Sequence, residues 1–145
     1  MTMHARILEG GCRCGGIRLR FGTTLREFAP RACDCSFCRR HDASWISDAH
    51  GSLVLSCDPD HIHYERQGSG QARFLLCDSC DTLVAVLYHD GDTRYAAVNA
   101  ACLAARDGLL APTPVSPGTL SAGDKASRWK RLWIADVELR PRPHD

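Results

Sequence analysis

The stretch Gly10-Gly11-Cys12-Arg13-Cys14-Gly15-Gly16-Ile17-Arg18-Leu19-Arg20-Phe21 decides how the rest of the chain is read. Ile17, Leu19 and Phe21 alternate with Arg18 and Arg20, the period-two pattern of a strand with one face buried and one face wet. On a plain strand Cys12 and Cys14 would share a face about 7 Å apart. Two sulfurs on one tetrahedral zinc, with Zn–S bonds of about 2.3 Å, sit only about 3.8 Å apart, so the backbone has to bend there. The flanking Gly10, Gly11, Gly15 and Gly16 permit the dihedrals such a bend requires.

Cys77-Asp78-Ser79-Cys80 has the knuckle spacing that grips one metal from a tight turn, and with Cys12 and Cys14 it makes a four-thiolate site of the closed, structural kind. Cys33-Asp34-Cys35-Ser36-Phe37-Cys38 differs, because three thiolates reach one ion without distant help and leave a coordination place open. Three protein ligands and one exchangeable position is the arrangement of a catalytic or substrate-binding zinc. A thiol is a natural fourth ligand, since soft sulfur suits the metal and loses its proton on binding. The alternatives are a fourth ligand from His41 or another side chain, which closes the site, or a site left empty. The expected cofactor is therefore Zn2+, two per chain, the second site filled wholly or in part. Cys57 and Cys102 lack partners at ligand spacing and read as inert buried thiols, and the His61, His63 pair has no third ligand close in sequence.

With 145 residues, 18 Lys and Arg against 17 Asp and Glu, the chain has no long-range field to gather nucleic acid or anionic lipid. The basic cluster Lys125, Arg128, Lys130 and Arg131 around Trp129 reads as a solvated face. No apolar run of signal-peptide or membrane-spanning length is evident, and nine cysteines without an export signal point to reduced thiols, hence to a cytoplasmic protein with small-molecule partners and no membrane contact.

Further β-rich runs are expected at 52–56, 61–65, 73–77, 82–89 and 94–99, with alternation again at Trp133, Ala135, Val137 and Leu139. A short helix is expected within 99–110, a surface loop over 111–123 and a loose tail at 141–145. This predicts one mainly β domain over 1–145, its core about 6–140, with stacked antiparallel sheets stapled by zinc and at most one or two short helices.

The ordered set Gly-x-Cys-x-Cys-Gly (Gly10 to Gly15), Cys-x-Cys-x-x-Cys-Arg (Cys33 to Arg39) and Cys-x-x-Cys (Cys77 to Cys80) resembles the glutathione-dependent formaldehyde-activating enzyme family, with weaker echoes at Arg73 and Trp129. The resemblance implies a β-tent fold, shared more distantly with methionine sulfoxide reductase B. It also implies a structural zinc at Cys12, Cys14, Cys77 and Cys80 and a second zinc at Cys33, Cys35 and Cys38. The family is described as joining glutathione and formaldehyde into S-hydroxymethylglutathione, a carbon–sulfur lyase reaction written in reverse, and it also includes centromere protein V. Asp34 stands where many members have His, and Asp81 replaces the usual Gly after the knuckle. Asp34 beside three thiolates would make the ion a poorer Lewis acid, which Arg39 and Arg40 could offset.

The function expected is a zinc-dependent carbon–sulfur lyase-like enzyme acting on glutathione or another low-molecular-weight thiol adduct at the open three-cysteine site. Arg39 and Arg40 are the expected partners of substrate carboxylates and Trp45 an apolar wall. The alternative, from another class, is a non-catalytic zinc module binding a protein or nucleic-acid partner. A third reading, thiol redox chemistry, would have to use Cys57 or Cys102.

Overall fold

Arg6–Gly11 (β1) and Ile17–Thr23 (β2) pair antiparallel around the Cys12, Cys14 loop in the computed structural model, which describes residues 6–67, 70–105, 108–116 and 120–141. Ser52–Cys57 (β5) adds to β2, and Asp136–Pro141 (β11) adds to β5, giving a sheet in the order β1-β2-β5-β11. A second sheet contains Arg31–Cys33 (β3), Trp45–Ile46 (β4), Ile62–Arg66 (β6), Arg73–Cys77 (β7), Leu83–Asp90 (β8), Thr93–Asn99 (β9) and Thr113–Val115 (β10), in the order β10-β3-β4-β9-β8-β7-β6. The fold is thus mainly β, with two sheets and two α-helices among the described residues, Ser36–Arg40 (α1) and Ala122–Leu132 (α2). No helix among the described residues is long and apolar enough to cross a membrane.

The pairings are antiparallel except at two edges, where β11 runs parallel to β5 and β10 parallel to β3. Both edge strands return after long excursions, so the chain arrives from either end with no hairpin to dictate direction. Ile17, Leu19 and Phe21 of β2 face Leu75, Ala85, Leu87 and Val98 of the second sheet, all buried. Each large side chain so buried contributes on the order of 1.5–3 kcal/mol. The second sheet is covered on its other face as well, where Leu76, Val86 and Ala97 pack with Phe37 of α1 and Trp133 at the end of α2. Burial on both faces explains why β8 reads Leu83-Val84-Ala85-Val86-Leu87 without alternation.

The expected strands at 52–56, 73–77, 82–89 and 94–99 all form, give or take a residue. His61 does not join β6; it closes a 3-10 turn, Pro59–His61, capped by the Asp58 side chain on Asp60 N–H. The helix expected within 99–110 is only a 3-10 turn at Ala100–Cys102. Its backbone groups find partners elsewhere: Ala100 N–H donates to Ser44 O and Ala104 N–H to Glu9 O, while Asn99, buried, donates to Leu83 O at 2.8 Å. The loop expected over 111–123 contains the edge strand β10, and its end already belongs to α2. Ser121 caps α2 by accepting from Asp124 N–H at 3.1 Å. At the C-terminus, Pro141 still belongs to β11, and the rest of the expected tail, 142–145, lies outside the described residues.

Candidate metal centres and the cavity between them and the helix layer

The Cys12, Cys14 loop bends as the sulfur spacing demands. Cys12 N–H donates to Ile17 O at 3.0 Å and Gly15 N–H to Cys12 O at 3.1 Å, which folds the loop back on the start of β2. Gly15 takes φ +82°, and at Gly11 a Cβ would stand 2.1 Å from Ile17 O, so both positions require glycine. The turn between β7 and β8 carries Cys77 and Cys80, with Asp81 N–H donating to Cys77 O.

The four sulfurs meet. Cys12 Sγ lies 3.6 Å from Cys14 Sγ, and Cys14 Sγ 3.5 Å from Cys77 Sγ. All four lie within 4.8 Å of one another, matching the edges of a zinc tetrahedron of about 3.8 Å. The surroundings suit thiolates: Ile17 N–H points at Cys12 Sγ at 3.2 Å and the Thr82 hydroxyl lies 3.0 Å from Cys80 Sγ. Burial pushes Cys77 up to about 12. Burial also raises Cys80, but the Thr82 hydroxyl and backbone N–H donors outweigh it and bring that thiol down to about 6.

Cys33 at the end of β3 and Cys35 and Cys38 around the start of α1 form the second group, again with all sulfurs within 4.8 Å. Cys35 is the N-cap of α1, its sulfur accepting from Cys38 N–H at 3.3 Å. The Cys38 thiol's hydrogen bond to Cys33 outweighs burial and lowers Cys33 to about 6, while the same bond, with burial, pushes Cys38 up. Both groups could hold a metal ion, and soft thiolate donors at this spacing fit zinc.

No fourth His, Cys, Asp or Glu joins the second group among the described residues. The His41 ring packs 4.7 Å from that of Phe37 instead. Asp34 is turned aside, its carboxylate accepting from the Ser116 hydroxyl at 2.6 Å. Asp81 sits at φ +58°, the left-handed conformation that makes glycine usual there and that Asp tolerates.

The three-cysteine group opens into a cavity of about 150 Å³ walled by Trp45, Phe74, Trp129 and Trp133. Trp45 stands on the cavity wall beside the three cysteines. Arg39 and Arg40 do not line the cavity: α1 turns Phe37 and Cys38 inward, which leaves both arginines on its exposed side, Arg40 lying over the Phe37 ring at 5.8 Å. The cations that do line it are Arg31, Lys125 and Arg128. Arg31 shares the β3 face of Cys33, an i, i+2 relation legible in the sequence but missed; Lys125 and Arg128 were expected on a solvated face, because no helix was expected at 122–132 to turn them toward the cavity. Burial, and then the charge of Arg128, push the Arg31 guanidinium below its usual value.

The remaining sequence candidates join neither group. His63 Nδ1 meets Asp78 at 2.5 Å and Nε2 meets Glu65 at 3.4 Å, and His61 lies 3.6 Å from Asp58. Cys57 and Cys102 are buried, Cys102 Sγ pointing at Leu83 O at 3.4 Å.

No curated protein matches the chain. Among solved structures, a Rhodobacter sphaeroides protein is similar in fold, at 24% identity and TM-score 0.54, over 66% of this chain and 87% of that one. The family model for the glutathione-dependent formaldehyde-activating enzyme matches residues 7–115. That span runs from β1 to the end of β10 and carries all seven cysteines of the two groups in the order the sequence motifs require, so the chain belongs to the glutathione-dependent formaldehyde-activating enzyme family.

Proposed function

We propose that the chain is a zinc-dependent carbon–sulfur lyase-like enzyme. It binds glutathione or another low-molecular-weight thiol at Cys33, Cys35 and Cys38, and it forms or cleaves the S-hydroxymethyl adduct. The observation that carries this reading is the three-cysteine group without a fourth protein ligand among the described residues, at the wall of an aromatic cavity. Cys12, Cys14, Cys77 and Cys80 hold, in this reading, a zinc that is structural, because all four positions are taken by the chain.

A zinc ion at the three-cysteine group would supply a Lewis-acid position that holds a ligand sulfur as thiolate near neutral pH. The chain's residues do the rest. Trp45, Phe74 and Trp129 keep water from the reacting sulfur and seat the methylene beside it. Asp34, bound to Ser116, is held from adding its oxygen to the donor set. In the forming direction, the thiol sulfur bonds to the aldehyde carbon and the thiol proton ends on the former carbonyl oxygen.

For a nucleic-acid partner, the binding-module alternative has one basic cluster to offer, the one around Trp129. Lys125 and Arg128 line the cavity and Lys130 pairs with Asp90 at 2.5 Å, which favours a small anionic ligand over a solvated nucleic-acid footprint. The test is a cobalt-substituted sample titrated with glutathione while the thiolate-to-metal absorption is followed. A new sulfur in the coordination sphere changes the spectrum. Elemental analysis showing both sites filled, with a spectrum unmoved at saturating thiol, would remove the open-site reading.

A further inference from the structure

We propose that Arg31 and Arg128 form a cationic subsite that takes a carboxylate of the thiol ligand, so that the cavity selects carboxylated thiols over neutral ones. The inference rests on the thiol-binding reading of Cys33, Cys35 and Cys38 given above.

Arg31, from β3, and Arg128, from α2, both line the cavity that the three cysteines line. The only side-chain hydrogen bond of Arg31 among the described residues goes to Ser47 Oγ at 2.8 Å. The Ser47 hydroxyl in turn donates to Leu132 O at 2.7 Å, at the end of the helix that carries Arg128. Ser47 thus fixes the guanidinium relative to α2 and leaves most of its five N–H donors without an acceptor among the described residues.

No carboxylate among the described residues pairs with Arg31 or Arg128, although each is half-buried and the two charges repel one another. Half-buried like charges without a counter-ion are costly, and an anion between them relieves both the repulsion and the idle donors. The fork of a guanidinium matches a carboxylate in a bidentate way, and Lys125 on the same wall adds a third positive charge. At about 150 Å³ the cavity has the room of one benzene-sized guest, so sulfur and carboxylate enter on one compact fragment. The aromatic wall covers the methylenes between them.

The test compares 3-mercaptopropionate with 3-mercaptopropanol, two thiols of equal chain length that differ in the carboxylate, by calorimetric titration of the zinc-loaded protein. The wild type should bind the acid at least about tenfold more tightly, the scale of a charge-assisted hydrogen bond. Arg128→Gln should weaken the acid about tenfold and leave the alcohol within about twofold, the scatter of an uninvolved surface change. Arg31→Gln should do the same, with Arg31→Lys recovering part of the preference. Because Arg31→Gln also removes the Ser47 bond, Arg128→Gln carries the test if that variant fails to fold. Equal wild-type affinities for acid and alcohol overturn the subsite while leaving thiol binding intact. Equal weakening of both thiols in Arg128→Gln also overturns it, because the arginine would then act on the metal group and not on the carboxylate. Binding of neither thiol overturns this proposal, and a cobalt spectrum that glutathione also leaves unmoved overturns the thiol reading with it.

Discussion

The sulfur of Cys14 lies 3.5 Å from that of Cys77, 63 residues further along the chain. The contact joins the loop after β1 to the turn after β7, one segment from each sheet. A metal held there closes a long loop, and its binding free energy acts as folding free energy.

Cys77→Ser is therefore expected to give insoluble or molten protein. Structural zinc in small domains binds with about 10–16 kcal/mol apparent free energy, as much as a whole domain's stability of about 5–15 kcal/mol. Circular dichroism in the far and near ultraviolet, with zinc content, checks it. A well-folded Cys77→Ser protein that keeps its metal would contradict the structural assignment.

Cys35→Ser should fold and lose one of two metal ions together with thiol binding. All three ligands come from Cys33 to Cys38, so emptying the group disturbs the start of α1 and little else. The serine hydroxyl can take over the cap on Cys38 N–H, so the fall in Tm should be no more than the lost metal accounts for. A collapse equal to that of Cys77→Ser would mean that both groups are structural.

Removal of Cys57 or Cys102 as Ser should leave metal content and thiol binding unchanged. Both are buried and join neither group, and burial raises Cys57, the opposite of an activated thiol. If Cys102→Ser abolished a thiol-dependent activity while both metals stayed bound, redox chemistry at that sulfur would replace the present reading.

Asp81→Gly should stabilise the protein by up to about 1 kcal/mol, measured as a rise in Tm at saturating zinc. Asp81 holds φ +58°, where a Cβ is unfavourable and glycine is not. The opposite sign would show that the Asp81 side chain makes a contact worth more than the backbone strain.

His63 should stabilise the protein at low pH and lose that contribution as pH rises. The hydrogen bond to Asp78, chiefly, raises His63 above its usual 6.5. A raised folded value means that the contribution is complete below about pH 6.5, the unfolded value, and disappears as pH climbs through the folded one. His63 is 41% exposed, so screening keeps the effect under about 1 kcal/mol. Denaturation of His63→Gln and wild type at pH 5.5 and pH 9 should show a gap at the lower pH alone, and an equal gap at both would rule out the ion pair.

How far the chain could be read from its residues differs between its two layers. The alternation at Ile17, Leu19 and Phe21 announced its strand because burial of one face selects side chains with the period of the strand, whereas the runs at 73–77 and 82–89 announced theirs as short apolar stretches bounded by turn residues. The Cys12, Cys14 and Cys77, Cys80 pairs and the Cys33, Cys35, Cys38 trio were legible for a similar reason: ligand spacing is a local constraint. Helix α2 carried one legible signal, Ser121 three residues before Asp124, obscured by the Pro and Gly residues of the expected loop before it.

What the sequence by itself determined was the two cysteine groups that could hold a metal, the mainly β character and the family, all properties of residues close in the chain or of their order. Only the tertiary structure decided which charges meet the cavity. Phe37 and Cys38 had to be buried, which turned Arg39 and Arg40 outward, and the packing of Trp129 and Trp133 over the second sheet brought Arg128 to the cavity that Arg31 lines. Which cation faces a ligand follows from how helices settle on a sheet, and that is set by burying their apolar sides against it, a choice no local spacing records.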